Sequence, residues 1–351
     1  MKFAHETLAQ RVVFAPEQAP RAVADEVARL GATRVMVVTA VSSAGLTARL
    51  TDGLPVVHVH DEVVRHVPVD VAERAREAAR ACAADALVCV GGGSATGLAK
   101  AIALTDGLPV VAVPTTYAGS EATPVWGLTR GNAKTTGTDA RVLPRSVVYD
   151  ASLLLTLPAR LSVASGLNAL AHCVDAMWGP RADPIDRALA CEAVRVLSEG
   201  LPEVQDHPGR LPGHERMLYG AYLAAVAFAS AGSGLHHKIC HVLGGMFDLP
   251  HAQTHAVVLP HVLAFNAPGA PEAERAIAGA LGSAGAVEGL AALYAGLGVP
   301  ASLRDLGMPE EGIAASVDPL LAVVPDHNPT AVTRDALTAL VRAAWEGDPH
   351  R

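Results

Sequence analysis

The chain has 351 residues, of which half are apolar and 18% are charged, and this composition is sufficient for two domains with hydrophobic cores. It excludes a collagen-like, disordered or disulfide-scaffold protein. The formal net charge is −8, whereas a protein that neutralises phosphate backbones is expected to be basic, so we predict no nucleic-acid partner.

Cysteine usage and the N-terminal residues bear on location. Five cysteines without CxxC spacing predict reduced thiols and a cytoplasmic protein. Lys2, Glu6 and Arg11 place charges where a secretory signal would be apolar, so we expect no export. Residues 217–235 are uncharged over a membrane-spanning length, but they are rich in Ala, Gly and Ser, which favours a buried helix. We therefore expect no membrane partner.

The first 150 residues alternate β-branched segments with segments rich in Ala, Glu and Arg. Helices are predicted over residues 21–30, 69–84 and 96–104. The predicted strands are RVVF (11–14), VMVVT (35–39), PVVHV (55–59), ALVCV (86–90), PVVAV (109–113) and SVVYD (146–150). Because parallel strands need crossover connections, this alternation predicts a Rossmann-like α/β domain with a mostly parallel sheet. We assign residues 1–155 to this dinucleotide-binding domain.

After residue 155 the pattern changes to Ala-rich segments with helical periodicity, interrupted by Pro/Gly clusters. No alternating strand pattern recurs. We therefore predict an all-helical domain over residues 156–351. Since no flexible linker separates the two predicted domains, we expect a cleft between them, which is a common position for a small-molecule site.

The loop after the second predicted strand bears on the choice of cofactor. Dinucleotide folds that select NAD over NADP usually place a carboxylate near the ribose 2′-hydroxyl, and residues 40–45 contain none. A 2′-phosphate would meet no repulsive charge there. The sequence thus predicts weak discrimination between NADH and NADPH.

Two later strand ends carry candidate phosphate contacts. Gly91, Gly92, Gly93 and Ser94 lie between a predicted strand and a helix, where the backbone and the helix N-terminus can approach a pyrophosphate. A plain tight turn is the alternative, because the motif is not GxGxxG. The next predicted strand also ends in hydroxyl side chains. This favours one ligand that is bound by the ends of both strands. These side chains belong to Thr115, Thr116 and Ser120.

Six of the 15 histidines fall within residues 236–261. His237 and His241 are spaced i, i+4 and share a helix face, as do Asn168 and His172. Gly244, Gly245 and Pro250 are expected to end or turn the helix and to return His251 toward it. The other histidines of this segment, His236, His255 and His261, have the alternative of ordinary hydrogen-bonded residues.

Three imidazoles and one oxygen side chain could form a site for Zn²⁺ or Fe²⁺. A carboxylate would contribute a negative charge, whereas the amide of Asn168 contributes only a carbonyl dipole. We therefore expect weak metal affinity.

Long strings spread over residues 91–261 occur in the order typical of a known family. They resemble the iron-containing alcohol dehydrogenase superfamily, and within it the maleylacetate reductases. The strings are GGGSATGLAKAIA, PTTYAGSEATPVWGLT, KTTGTDARVLPRSVVYD, SGLNALAHCVDA and GLHHKICHVLGGMFDLPHAQTHAVVLPH. The resemblance covers essentially the whole chain, more weakly after His261, and implies a dehydroquinate synthase-like fold with α/β and all-α domains.

The resemblance also implies ligands for particular residues. NADH or NADPH would be bound by Gly91 to Ser94, Thr115, Thr116 and Lys134. The superfamily's metal ligands, one Asp and three His, fall on Asn168, His172, His237 and His251. Because Asn168 replaces the Asp, as in maleylacetate reductases, the resemblance implies an enzyme that requires no metal. Gly97 and Ala40 replace two further aspartates of the superfamily.

The implied reaction is the reduction of maleylacetate, a small dicarboxylate, to 3-oxoadipate in aromatic-compound degradation. We expect His241 to donate a proton or stabilise the oxyanion, and His172, His237 and His251 to bind the substrate. Lys238 would add positive charge, although a solvated helix position is its alternative. A homodimer is also implied.

Three alternative functions remain open at this point. They are a metal-dependent alcohol or polyol dehydrogenase, a biosynthetic reductase of a related unsaturated keto acid, and a non-catalytic binding protein.

Overall fold

The computed structural model describes residues 2–131 and 133–347, without the side chains of residues 133 and 134. The described chain forms two compact units. One comprises Thr7–Leu157, and the other combines residues 2–6 with residues 158–347. The N-terminal residues of the second unit are attached to it by His5, whose Nδ1 lies 2.7 Å from Oδ2 of Asp183.

The first unit contains a six-stranded parallel sheet. Its strands are β1 (Arg11–Phe14), β2 (Val35–Thr39), β3 (Val56–His60), β4 (Ala86–Gly91), β5 (Val110–Pro114) and β8 (Ser146–Tyr149). They are arranged in the order β1-β8-β5-β4-β2-β3. β2, β4 and β5 are buried along their whole length, as expected for Val-rich strands covered on both faces. The predicted parallel α/β architecture is confirmed.

Helices cross between these strands. They are α1 (Ala19–Arg29), α2 (Ala44–Leu50), α3 (Val69–Ala81) and α4 (Gly93–Asp106). α1, α3 and α4 correspond to the three predicted helices, and α4 begins three residues earlier than predicted because the glycine turn leads directly into it. The short α2 was not predicted.

A two-stranded antiparallel hairpin is an addition to the predicted architecture. Its strands are β6 (Val125–Arg130) and β7 (Ala133–Thr138). Gly131, with φ of +55°, lies in the connecting turn, where a positive φ favours glycine. The strands consist largely of Thr, Gly, Arg and Lys residues, so no alternation of apolar and polar residues reveals them in the sequence.

The second unit is helical in its described part, as predicted. Its helices are α5 (Ala159–Trp178), α6 (Pro184–Asp206), α7 (Leu211–Ala231), α8 (Leu235–Phe247), α9 (His251–Asn266), α10 (Pro271–Ala280), α11 (Ala286–Ala295), α12 (Glu311–Leu321) and α13 (Arg334–Glu346). A core that includes Leu235, Ile239, Val258 and Val341 packs between α8, α9, α12 and α13.

No single helix among the described residues has both the length and the hydropathy needed to cross a membrane. α7 and α8 meet those criteria only when they are taken together, and they are bent by 98° at the break between them.

Candidate active site

The glycine turn lies where β4 passes into α4, in the middle of the sheet. Its position between β5 and β2 places the ends of three predicted cofactor-binding strands at one sheet edge. Gly91 has φ of +149°, and a Cβ there would lie 2.9 Å from Cβ of Ala95. Only glycine fits this backbone without a shift.

The end of β5 packs directly against this turn. The backbone N–H of Thr115 donates to the carbonyl of Gly91 at 3.1 Å. A Cβ on Gly92 would lie 2.9 Å from Cγ2 of Thr116, so the two strand ends are in van der Waals contact. The structure therefore brings together Gly91, Gly92, Gly93, Ser94, Thr115 and Thr116. Ser120 lies five residues after Thr115 and begins a short turn of 3₁₀ helix.

A pyrophosphate fits this arrangement. The first-turn N–H groups of α4 lack acceptors within the helix, and the absence of side chains at the turn leaves backbone for an anion to approach. Gly97 stands where the superfamily pattern has an aspartate. A Cβ at this position would lie 2.9 Å from Cγ2 of Val67, so the surrounding residues favour glycine here. Lys134, also predicted to bind cofactor, has its side chain outside the described residues.

The helical unit gathers the predicted histidines into one cluster. His172 stacks on His237 with ring centroids 4.9 Å apart, and Phe228 of α7 covers both rings at 4.7 and 4.2 Å. His241 lies 6.1 Å from His237 and 6.1 Å from His251. His172 and His237 are buried, whereas His241 and His251 are exposed. The latter pair is therefore accessible to solvent.

The chain reversal that forms this cluster differs from the predicted one. Gly244 and Gly245 lie inside α8 rather than at its end. The helix ends after Phe247, where Asp248 adopts a left-handed conformation with φ of +50°, and Pro250 precedes α9. α9 then begins at His251, which places His251 and the next turn of α9 beside α8.

His255 and His236 belong to the same cluster, whereas the sequence had left an ordinary hydrogen-bonded role open for both. The His255 ring lies 4.5 Å from His251, 4.7 Å from His237 and 4.9 Å from His236. Nδ1 of His255 and Nε2 of His236 are hydrogen-bonded at 2.9 Å. Both side chains are fully buried. The i, i+4 spacing of His251 and His255 was a signal in the sequence that could have identified the latter.

Asp175 of α5 orients His237. The Nδ1–H of His237 donates to Oδ2 of Asp175 at 2.7 Å, and the same oxygen accepts the backbone N–H groups of Gly234 and His237 at 3.1 Å. A Cβ on Gly234 would lie 2.4 Å from Oδ1 of Asp175, so glycine is needed there. Sequence reasoning missed Asp175, although its i+3 spacing from His172 places it on the same face of α5.

Burial dominates the electrostatics of the cluster. It raises the pKa of Asp175 to about 7 and lowers the pKa of His172 to about 3. It also lowers the pKa of His237 and of His255 well below the usual value, and the neighbouring histidines lower both further. These imidazoles are therefore neutral at neutral pH. Lys238 is half-buried on α8, one turn before His241.

The superfamily's metal-ligand set does not fit these residues well. The position of the carboxylate is held by Asn168, whose buried Oδ1 has no hydrogen-bond partner and carries no charge to offset a cation. Among the described histidines, nitrogen atoms within 4.8 Å of one another are offered by His236, His237 and His255. The superfamily positions would instead use His172, His237 and His251.

Comparisons with known proteins identify the class. A family model described as "Iron-containing alcohol dehydrogenase" matches residues 9–151. A second, "Fe-containing alcohol dehydrogenase family, C-terminal", matches residues 162–345. Together the two models span both units, and they define an oxidoreductase with an α/β and a helical part.

Similar proteins match over nearly the full length. A maleylacetate reductase from Sphingobium indicum is 44% identical, with 99% of each chain covered. The crystal structure of an iron-containing alcohol dehydrogenase from Corynebacterium glutamicum is 55% identical, with a TM-score of 0.98 and coverage of 99% of this chain and 98% of that one. The structure of maleylacetate reductase from Agrobacterium tumefaciens is 38% identical, with a TM-score of 0.94 and 99% of each chain covered. The chain belongs to the iron-containing alcohol dehydrogenase family.

Proposed function

We propose that this oxidoreductase uses NADH or NADPH to reduce the conjugated double bond of maleylacetate, giving 3-oxoadipate in aromatic-compound degradation. One observation carries the proposal. The position that the resemblance assigns to the superfamily's metal-binding carboxylate holds the neutral amide of Asn168, one turn before His172 on α5. Full-length similarity to maleylacetate reductases, at 38 to 46% identity, supports the same substrate.

The cofactor, when bound at the glycine turn, supplies a hydride for the alkene carbon farther from the ketone. Negative charge then develops on the ketone oxygen as an enolate, and a proton added to the neighbouring carbon completes the product. The residues of the helical unit must therefore stabilise an oxyanion, deliver a proton and hold two carboxylates.

The positions of the histidines suggest a division of these tasks. His241 is exposed and can exchange protons with solvent, which suits the proton donor or oxyanion stabiliser. His251 is also exposed and suits a carboxylate of the substrate, with Lys238 adding positive charge. His172 and His237 are the buried histidines of the proposed substrate site. Burial lowers their pKa values, and the negative charge of a bound dianion would raise them again.

Removal of metal tests the role of Asn168. We expect the chelator-treated enzyme to retain most of its NADH oxidation rate with maleylacetate, because no carboxylate is present at residue 168 to help hold a divalent ion. The matched variant Asn168→Asp should bind Zn²⁺ more tightly, measured by calorimetry.

Metal-dependent dehydrogenation of an alcohol or polyol is the second candidate function. It is favoured by nitrogen atoms of His236, His237 and His255, which lie close enough together to bind one metal ion. One tightly bound metal ion per chain, with activity lost to chelator and restored by metal, would favour that function over the proposal. A panel of simple alcohols and aldehydes beside maleylacetate then identifies the substrate. A related unsaturated keto acid, the substrate of a biosynthetic reductase, belongs in the same panel.

The choice between NADH and NADPH tests the loop that follows β2. Ala40 places no carboxylate there, so we expect the two kcat/KM values to differ by less than about a hundredfold, or about 2.7 kcal/mol. Ala40→Asp should lower kcat/KM for NADPH by repelling the 2′-phosphate, whereas the uncharged Ala40→Asn should not. Equal losses in both variants would contradict the proposed position of the ribose.

We further propose a cytoplasmic homodimer whose partners are the cofactor and a small dicarboxylate, without a nucleic-acid or membrane partner. The five free cysteines support the cytoplasmic location, and the acidic net charge argues against a nucleic-acid partner. The homodimer is what the family resemblance implies. Size-exclusion chromatography with light scattering would measure the oligomeric state.

A further inference from the structure

Lys100 is a fully buried lysine in the middle of α4, two turns after the glycine turn. Its Nζ donates to the backbone carbonyls of Ser120, Thr123 and Val125 at 2.5, 2.8 and 2.8 Å. Oγ1 of Thr123 lies 3.1 Å from the same nitrogen. Carbonyl oxygens only accept, and an ammonium group has three N–H donors, whereas a neutral amine has two. The three carbonyls therefore match the charged form of the side chain.

This arrangement opposes the cost of burial. Burial lowers the pKa of Lys100 to about 7, while the buried carboxyl of Glu121 raises it. Glu121 is itself held by the Tyr149 hydroxyl, which donates to its Oε1 at 2.8 Å. An apolar side chain would fill this position in an Ala-rich helix without that cost. The specific effect of the ammonium is to fix the backbone of residues 120–125.

The fixed segment continues from the end of β5 that carries Thr115 and Thr116. The helix that carries Lys100 begins at the glycine turn, so one side chain links both groups of predicted cofactor contacts. The hydrogen bond from Thr115 to Gly91 and the packing of Thr116 on Gly92 form a second link between them. A shift of residues 120–125 away from α4 would move Ser120 and loosen the end of β5.

We propose that Lys100 is a positioning residue for NAD(P)H, which holds the segment after β5 in register with the glycine turn without touching the cofactor. This proposal rests on the proposed function, because that function assigns the cofactor to these two segments. Lys100 has no exposed surface, so its effect on the cofactor must pass through the backbone of residues 120–125.

The variant Lys100→Met tests the proposal because it keeps the length of the side chain and removes all three donors. We expect the Kd for NADH, measured by fluorescence quenching, to rise about tenfold or more. At saturating NADH, kcat should change much less than KM for NADH, since the histidine cluster is intact. A side chain that only supported the fold would lower the melting temperature without this separation of KM from kcat.

Thr123→Val is the milder variant, which remains decisive if Lys100→Met does not fold. It removes the contact of Oγ1 with Lys100 together with the hydrogen bonds of Oγ1 to the Ser120 carbonyl and the Val125 N–H, and it keeps all three carbonyl acceptors of Lys100. It should raise the Kd for NADH in the same direction. Arg76→Met is the matched control, because Arg76 also donates to a carbonyl of α4, and its two hydrogen bonds of 3.0 Å go to Ala101 rather than to the segment that Lys100 holds.

Unchanged NADH affinity in the folded lysine and threonine variants would overturn the proposal, as would an equal loss of affinity in Arg76→Met. If the unsubstituted protein bound neither NADH nor NADPH, the proposed function would fail, and this inference with it.

Discussion

His241→Ala should lower kcat for maleylacetate reduction by roughly 10²- to 10³-fold, the usual loss when one donor to a developing oxyanion is removed. His241 is exposed and lies 6.1 Å from both His237 and His251, so it faces solvent while remaining part of the cluster. The loss should appear in kcat rather than in the KM for NADH, because the substitution is in the helical unit. Steady-state rates at saturating cofactor measure it.

His207→Ala provides the control for this substitution. His207 is an exposed histidine of the same unit, at the C-terminal end of α6 and outside the cluster. Its replacement should leave kcat unchanged. If His241→Ala retained most of its kcat, the proton-donor assignment would have to move to another residue, with His251 the next to test.

The strands of the α/β unit could be predicted because each is a short, continuous β-branched segment that occupies a fully or partly buried position in the sheet. Arg11–Phe14 and Val35–Thr39 have the predicted bounds. The hairpin of β6 and β7 could not be predicted in the same way. Its two strands are rich in polar residues and glycine without a regular alternation, and the hairpin depends on pairing between two segments rather than on a local pattern.

In the helical unit, the two residues of each predicted i, i+4 pair lie on one face of their helix, because this spacing is a local property of a helix. The contacts between helices are not local. Asp175 and His237 are 62 residues apart, and their hydrogen bond depends on how α5 packs against α8. Burial of His236 and His255 likewise results from the reversal at Asp248 and Pro250. Lys100 was missed for a similar reason, since a lysine in a helix is usually solvated.

Asp175→Asn should lower kcat by about 10- to 100-fold, the range typical when a carboxylate that orients a functional histidine is lost. The amide keeps the size of the side chain and can still accept the N–H groups of Gly234 and His237. The substitution replaces the carboxyl group, which accepts the Nδ1–H of His237 and so favours one orientation of the ring, by an amide whose NH₂ group can take the place of that acceptor oxygen. Rates at saturating substrate, together with melting temperatures, measure the two effects separately.

Asp183→Asn is the matched control for this last substitution. Asp183 is buried like Asp175, and it lies at the start of α6. Its Oδ1 accepts the N–H groups of Ile185 and Asp186, and its Oδ2 contacts Nδ1 of His5 at 2.7 Å. It lies outside the histidine cluster, so its replacement should change the melting temperature and not kcat. Equal losses of kcat in both variants would show that Asp175 only supports the fold. Loss of a buried carboxyl group would then explain the lower kcat without any role for His237.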